Sequence, residues 1–145
     1  MGNVRFVSSA DVPLISTRDR APAATLAKLS EGERNTATRM LFPGSDRELQ
    51  LFEVEVQPDD RVEVHAHAHD EIIYVCEGEL RFGRRVCGAG SAVYISAHTL
   101  YGFAAGPSGC HFLNFRAVAD ASYISREEHL QSLRASSAAP GEEQA

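Results

Sequence analysis

The sequence has few cysteines and no long apolar run, and each shortage excludes a class of protein. Its three cysteines, Cys76, Cys87 and Cys110, form no CxxC pair, so neither a zinc knuckle nor a disulfide framework is indicated. No apolar run approaches bilayer-spanning length, and the first residues lack an export signal. We therefore expect a cytoplasmic protein with no membrane partner.

Basic residues are also in short supply. Asp and Glu number 20 against 14 Lys and Arg, for a net charge of −6. Nucleic-acid binding relies on clustered cations, so no nucleic-acid partner is expected. The length of 145 residues, with 43% hydrophobic and 23% charged residues, suits one globular domain.

Most of the chain has the period of two that is typical of strands. Phe52, Val54 and Val56 alternate with polar residues, and short runs at 72–76, 80–82, 85–87, 92–95 and 110–115 are separated by turns or glycines. This density of short strands predicts an all-β, antiparallel sandwich or barrel.

The two ends of the chain differ from this middle. Residues 1–35 are predicted to form an N-terminal arm, and 36–120 the β-domain. Ser125 and Glu128 have the spacing of a capping box and predict a short helical segment within 121–134. The tail, 135–145, is rich in Ala, Ser, Pro, Gly and Glu and is predicted to be disordered.

The chemistry of the sequence is concentrated in three histidines within five residues, His65, His67 and His69. On a strand, positions 65 and 67 point to the same face, and a turn could bring the Glu71 carboxylate to the same point. Two imidazoles and a carboxylate suit a divalent transition metal. A solvated histidine run at a strand end is the alternative.

These residues also carry a resemblance to a known family. Asp59, His65, His67, Glu71 and Gly78 have the spacing of the first motif of the cupin superfamily, with Asp59 in place of its opening glycine. The resemblance covers about residues 50 to 116. It implies an antiparallel cupin barrel (a double-stranded β-helix, or jelly roll) with a short C-terminal helix, and it implies that His65, His67 and Glu71 are metal ligands.

The second cupin motif is only partly present. Counted from Gly90, Ser96 stands at its proline, His98 at its second glycine, Tyr101 at its metal-binding histidine and Ala105 at its asparagine. Three interpretations stay open. Tyr101 ligates the metal or moves protons beside it, or His98 reaches in from the turn as a replacement, or the site is degenerate.

The predicted function is a metal-dependent cupin enzyme acting on a small organic molecule, with Tyr101 and His98 as catalytic candidates. Iron is the favoured ion, with Mn, Ni, Co or Zn as alternatives, and the reaction is of dioxygenase type or an isomerisation, elimination or cyclisation. The competing prediction is a non-catalytic cupin module that binds a metabolite or a metal. A homodimer is expected, because small cupins usually pair through sheet edges.

Overall fold

The computed structural model describes residues 2–138, and its main feature is one nine-stranded antiparallel sheet. The strands are β1 (Ile15–Ser16), β2 (Ala37–Phe42), β3 (Gln50–Val56), β4 (Arg61–Ala66), β5 (Glu71–Phe82), β6 (Arg85–Gly88), β7 (Ala92–Ile95), β8 (Tyr101–Arg116) and β9 (Ile124–Ser125). The prediction of an all-β antiparallel fold is confirmed.

The sheet is organised around its two longest strands, β5 and β8. The strand order is β1-β2-β3-β8-β4-β9, while β5 pairs with β6, β7 and β8. Strand β8 therefore has β5 along one edge, and β3 and β4 along the other. Over residues 2–138, the series of paired strands does not close into a complete ring.

The core is one cluster of buried apolar side chains contributed by the strands. Apolar side chains alternate inward along the strands, as the sequence pattern predicts. The fully buried members with the largest side chains are Ile73, Leu80, Val56 and Val75. Three aromatic rings complete the cluster, with Phe103 in contact with both Phe82 and Phe112. This core fixes the strands that carry the candidate site.

The N-terminal segment contains short helices as well as β1. After a 3-10 turn at Ser9–Asp11 come α1 (Thr17–Arg20), α2 (Ala23–Leu26) and α3 (Glu31–Asn35). Helix α3 begins with a capping box formed by Ser30 and Glu33. Strand β1 pairs with β2, so this segment is attached to the edge of the sheet.

The C-terminal helix, α4 (Arg126–Ala138), begins where the sequence predicts. The Glu128 N–H donates to the Ser125 hydroxyl at 3.1 Å, as in the predicted capping box. The helix continues beyond 134 to Ala138, and the rest of the predicted tail, 139–145, lies outside the described residues. All three cysteines are free. Over residues 2–138, no helix is long and apolar enough to cross a membrane.

Candidate functional site

Two imidazoles meet at the end of β4. His65 is buried within the strand and His67 follows its last residue. Their Nε2 atoms are 3.0 Å apart, with the rings at 82° to each other. The structure thus brings together the two histidines that the sequence places on one face.

Backbone carbonyls fix the protonation of both rings. His65 Nδ1 lies 2.7 Å from the Glu63 carbonyl oxygen, and His67 Nδ1 lies 2.5 Å from that of Ser122. Because a carbonyl oxygen only accepts, each Nδ1 must carry the hydrogen. Neutral rings then have lone pairs on both Nε2 atoms, and these lone pairs face each other.

Burial keeps the two rings neutral. It lowers the pKa of His65, and together with the charge of Arg116 it lowers the pKa of His67 to about 4. At neutral pH no proton is therefore available to bridge the two Nε2 atoms. Two facing lone pairs at this distance repel each other unless a cation lies between them.

Glu71, the first residue of β5, adds a buried carboxylate to the cluster. Its Oε2 lies 4.0 Å from His67 Nε2, and its Oε1 accepts a hydrogen bond from the Tyr101 hydroxyl at 2.6 Å. Arg116 Nη2 is 2.8 Å from Oε2, which is an ion-pair contact, while Oε2 has no hydrogen-bond partner. Glu71 Oε1 is therefore held by a hydrogen bond, whereas the negative charge at Oε2 is balanced only by the positive charge of Arg116.

The donor atoms match the chemistry of a divalent transition metal. His65 and His67 direct Nε2 lone pairs to a common point while their other nitrogens donate to carbonyls, as metal-bound histidines usually do. Glu71 Oε2, which lacks a hydrogen-bond partner, lies 4.0 Å from His67 Nε2. Over residues 2–138, however, no three such side chains are close enough to hold an ion together as they stand. The two imidazoles fit a metal, whereas Glu71 is engaged by Arg116.

The two catalytic candidates occupy different environments. Tyr101 is within the cluster, where burial, the charge of Glu71 and their hydrogen bond raise its pKa well above the usual value, so it is a protonated phenol. His98 is exposed, and its backbone N–H donates to the His67 carbonyl at 2.7 Å. Its φ of 59° is the left-handed conformation of the motif glycine that it replaces.

Two other histidines point away from the imidazole pair. The half-exposed His69 contacts the buried Asp120, with Nδ1 3.1 Å from Oδ2. His111, a further strand histidine, lies 2.9 Å from Glu53. Both rings are held by carboxylates.

Sequence reasoning missed two residues of the site. Arg116 pairs with Glu71, and the alternation of buried Phe112, Asn114 and Arg116 on β8 is the signal that could have placed it inside. Tyr123 stacks on His65 at 4.7 Å with the rings nearly parallel. No motif marks Tyr123, because it reaches the site from the segment between β8 and β9.

A cavity of about 290 Å³ adjoins the imidazole pair, and His67 and Arg116 are among its lining residues. Its lining comes from β2 and β3, from the N-terminal segment between Thr17 and Thr36, and from residues 120–123 after β8. The candidate site therefore has space beside it for a small molecule.

Comparison with known proteins identifies the fold. No protein-family model matches the chain, and no curated protein does. Among solved structures, the chain resembles the polyketide cyclase RemF from Streptomyces resistomycificus, with 26% identity over 90% of this chain and 94% of that chain and a TM-score of 0.63. It also resembles an RmlC-like cupin from Shewanella frigidimarina, with 20% identity over 87% and 96% and a TM-score of 0.58.

A third structure of the same fold is a putative acetylacetone dioxygenase from Methylibium petroleiphilum, with 14% identity over 91% of this chain and 95% of that chain and a TM-score of 0.63. The chain is a small cupin by fold, which confirms the resemblance read from the first motif. At these identities the comparison carries no specific activity.

Proposed function

We propose that this chain is a metal-dependent cupin enzyme that acts on a small organic molecule. The main support for this proposal is the contact between His65 Nε2 and His67 Nε2, which are 3.0 Å apart, while both Nδ1 atoms donate to backbone carbonyls. A divalent cation between these nitrogens would convert a repulsive contact into two coordinate bonds.

Three side chains would hold the ion. His65 and His67 supply Nε2, and Glu71 supplies the Oε2 atom that lacks a hydrogen-bond partner. Tyr101 donates to the other Glu71 oxygen, and this hydrogen bond orients the carboxylate. Iron is the favoured ion, and Mn, Ni, Co or Zn would suit the same donors.

A bound ion would act as a Lewis acid toward a carbonyl or carboxylate oxygen of the substrate. The protein would position that substrate in the cavity beside His67. Tyr101, a neutral phenol in a buried setting, keeps its proton at the Glu71 carboxylate. The reaction class is of dioxygenase type or an isomerisation, elimination or cyclisation, and a cyclase and a putative dioxygenase are among the structures that share the fold.

One observation favours a non-catalytic binding module instead. The Arg116 guanidinium balances the Glu71 charge at 2.8 Å, so the carboxylate is already neutralised without a metal. A site with a weakened third ligand could bind an ion or a metabolite and turn nothing over. Oxygen uptake with phenols and diketones, and product analysis without oxygen, would separate the two functions.

The test of the proposal is metal content. The purified full chain is stripped with chelator, reloaded separately with Fe(II), Mn(II), Ni(II), Co(II) or Zn(II), and analysed by mass spectrometry of the elements. We expect about one ion per chain, and a loss of it in His67→Ala. The matched control is His129→Ala on α4, which should load normally. A wild-type chain that loads no ion, or a His67→Ala variant that loads as well as the wild type, would overturn the proposal.

A further inference from the structure

The N-terminal segment forms part of the lining of the cavity beside His67. That segment contributes residues of α1 and α2, while the sheet contributes Met40 of β2 and Phe52 of β3. Hydrogen bonds attach the segment to the rest of the domain: the Tyr123 hydroxyl donates to Glu33 at 2.8 Å, and Arg39 Nε donates to the Val12 carbonyl at 2.8 Å. The segment is therefore a structured wall of the cavity.

The acidic residues that line this cavity are already satisfied within the protein. Glu33 Oε1 accepts from the Ser30 N–H and hydroxyl, each at 3.0 Å, and Oε2 accepts from the Tyr123 hydroxyl at 2.8 Å. Asp120 accepts from the N–H groups of Ser122 and His69, at 2.8 and 3.1 Å. Neither carboxylate needs a positively charged ligand.

The basic residues are less fully paired. Arg20 lines the cavity and remains exposed to solvent. Over residues 2–138 it has no carboxylate within ion-pair distance, and its one side-chain hydrogen bond reaches Thr38 at 3.5 Å. Arg116 pairs with Glu71 and donates from Nη1 to the Asp120 carbonyl at 2.6 Å. The uncompensated charge at the cavity is thus the guanidinium of Arg20.

The rest of the lining is mainly apolar. Pro22 and Leu29 contribute from the N-terminal segment, and Met40 and Phe52 from the sheet. Such surface gains free energy when it contacts an apolar ligand rather than water. A volume of about 290 Å³ admits a molecule of modest size.

We propose that the substrate class of this site is a small organic acid with an apolar body. Its carboxylate would bind the Arg20 guanidinium, and its body would pack against Leu29, Met40 and Phe52. The inference rests on the proposed function, because the cavity adjoins the imidazole pair through His67. It goes further by naming the charge and polarity of the ligand and the residue that selects the charge.

The experiment compares each acid with its own amide, which has nearly the same shape and no charge. Benzoate, phenylacetate and hexanoate, and their amides, are titrated into the full chain by calorimetry, in metal-free and metal-loaded protein. We expect at least one acid to bind about tenfold more tightly than its amide in the metal-free protein, the size of a charge-assisted hydrogen bond.

Two variants separate the contribution of charge to ligand binding from the contribution of apolar contact. Arg20→Gln should remove the preference for the acid and leave amide binding unchanged. Leu29→Ala should weaken acid and amide by the same factor, because it removes apolar contact only. The charge control is Arg84→Gln, which replaces an exposed arginine at the hairpin after β5. This variant should bind acids and amides as the wild type does.

The inference is overturned if no acid binds more tightly than its amide in the metal-free protein, or if Arg20→Gln keeps the preference. Its failure is distinguishable from failure of the proposed function. A chain that loads metal but prefers no acid refutes the inference alone. A chain that binds acids through Arg20 but loads no metal refutes the metal proposal alone.

Discussion

At the scale of the residue, Glu71 is the side chain that connects the members of the candidate site. It is buried, it accepts from Tyr101, and it lies between the charge of Arg116 and the nitrogen of His67. A buried carboxylate is stable only when its oxygens are paired. Its hydrogen bonds come from the Tyr101 hydroxyl at 2.6 Å and from Asn114 Nδ2 at 3.5 Å. Because the first is much the shorter, Tyr101 has a structural role whatever ion is bound.

The first prediction is for Tyr101→Phe. Removing the hydroxyl leaves a buried carboxylate oxygen short of a donor, and the free energy of unfolding should fall by about 1–3 kcal/mol. The measurement is urea unfolding of metal-free protein. Tyr94→Phe is the matched control, since it removes a tyrosine–carboxylate hydrogen bond to Asp70 that is exposed. Equal losses in the two variants would contradict the role given to Tyr101.

Two residues show how far the motif predicts the backbone. Asp59 and His98 stand where the cupin motifs have glycine, and both have positive φ, 63° and 59°. The conformation required at these turns is kept although the glycine is lost, at some cost in strain. The motif therefore predicts the local backbone even where its residues differ, but it does not predict that the His98 side chain is exposed.

At the scale of the element, the sequence predicts where strands occur better than it predicts which of them form one continuous strand. Residues 72–76 and 80–82 are predicted as separate strands, yet β5 runs unbroken from Glu71 to Phe82. Gly78 has a φ of 73°, and the pairing register with β8 shifts on either side of it. A glycine that reads as a turn signal is here a bend within one strand.

The second prediction concerns that bend. A Cβ on Gly78 would lie 2.1 Å from the Gly109 carbonyl oxygen, whereas a Cβ on Gly83 would meet nothing within 4 Å. Both have positive φ, so both alanine variants carry the conformational strain of about 1–2 kcal/mol. Only Gly78→Ala adds a clash with backbone, and it should lose more than about 3 kcal/mol. Thermal unfolding that shows equal losses would contradict this account.

Strand β8 shows why part of the site escaped prediction. The predicted strand ends at Phe115, one residue short of Arg116. In the structure Arg116 is buried against Glu71, and its guanidinium lies 5.2 Å from the centre of the Phe52 ring. The neighbours that make this burial possible come from β3 and β5, far apart in sequence, so no local pattern contains them.

At the scale of the whole molecule, Glu53 connects the N-terminal segment to the sheet. Its carboxylate accepts from Ser9 at 2.7 Å and from Arg39 at 3.2 Å, and it lies 2.9 Å from His111. Burial alone would raise the pKa of Glu53, but the hydrogen bonds from Ser9 and Arg39 and the charges of Arg39 and His111 outweigh burial and lower it. The contact between segment and sheet therefore depends on an ionised carboxylate.

The third prediction is a pH dependence of stability. Because the folded state lowers the pKa of Glu53, its contribution is fully present above the unfolded pKa, about 4.3, and is lost as the pH falls through the folded value. Glu53→Gln should lower the free energy of unfolding by about 1–3 kcal/mol at pH 7 and flatten the loss of stability below about pH 4.3. Glu55→Gln, exposed on the same strand, is the control, and an identical acid profile in wild type and Glu53→Gln would contradict the account.

The fourth prediction concerns assembly. A homodimer is expected from the cupin resemblance, and it stays a prediction. Light scattering of the full chain on a sizing column should give twice the chain mass of 15.8 kDa. A mass that stays at 15.8 kDa over a wide range of concentration would contradict it.

The central claim is that His65 and His67 share one divalent cation. The most direct measurement is anomalous diffraction, at the absorption edge of the metal, from crystals of the protein loaded with Fe(II) or Co(II). We expect one peak within about 2.0–2.3 Å of both Nε2 atoms, with Glu71 Oε2 turned toward it. Loaded crystals without a peak between the two imidazoles, or with the rings turned apart, would contradict the claim.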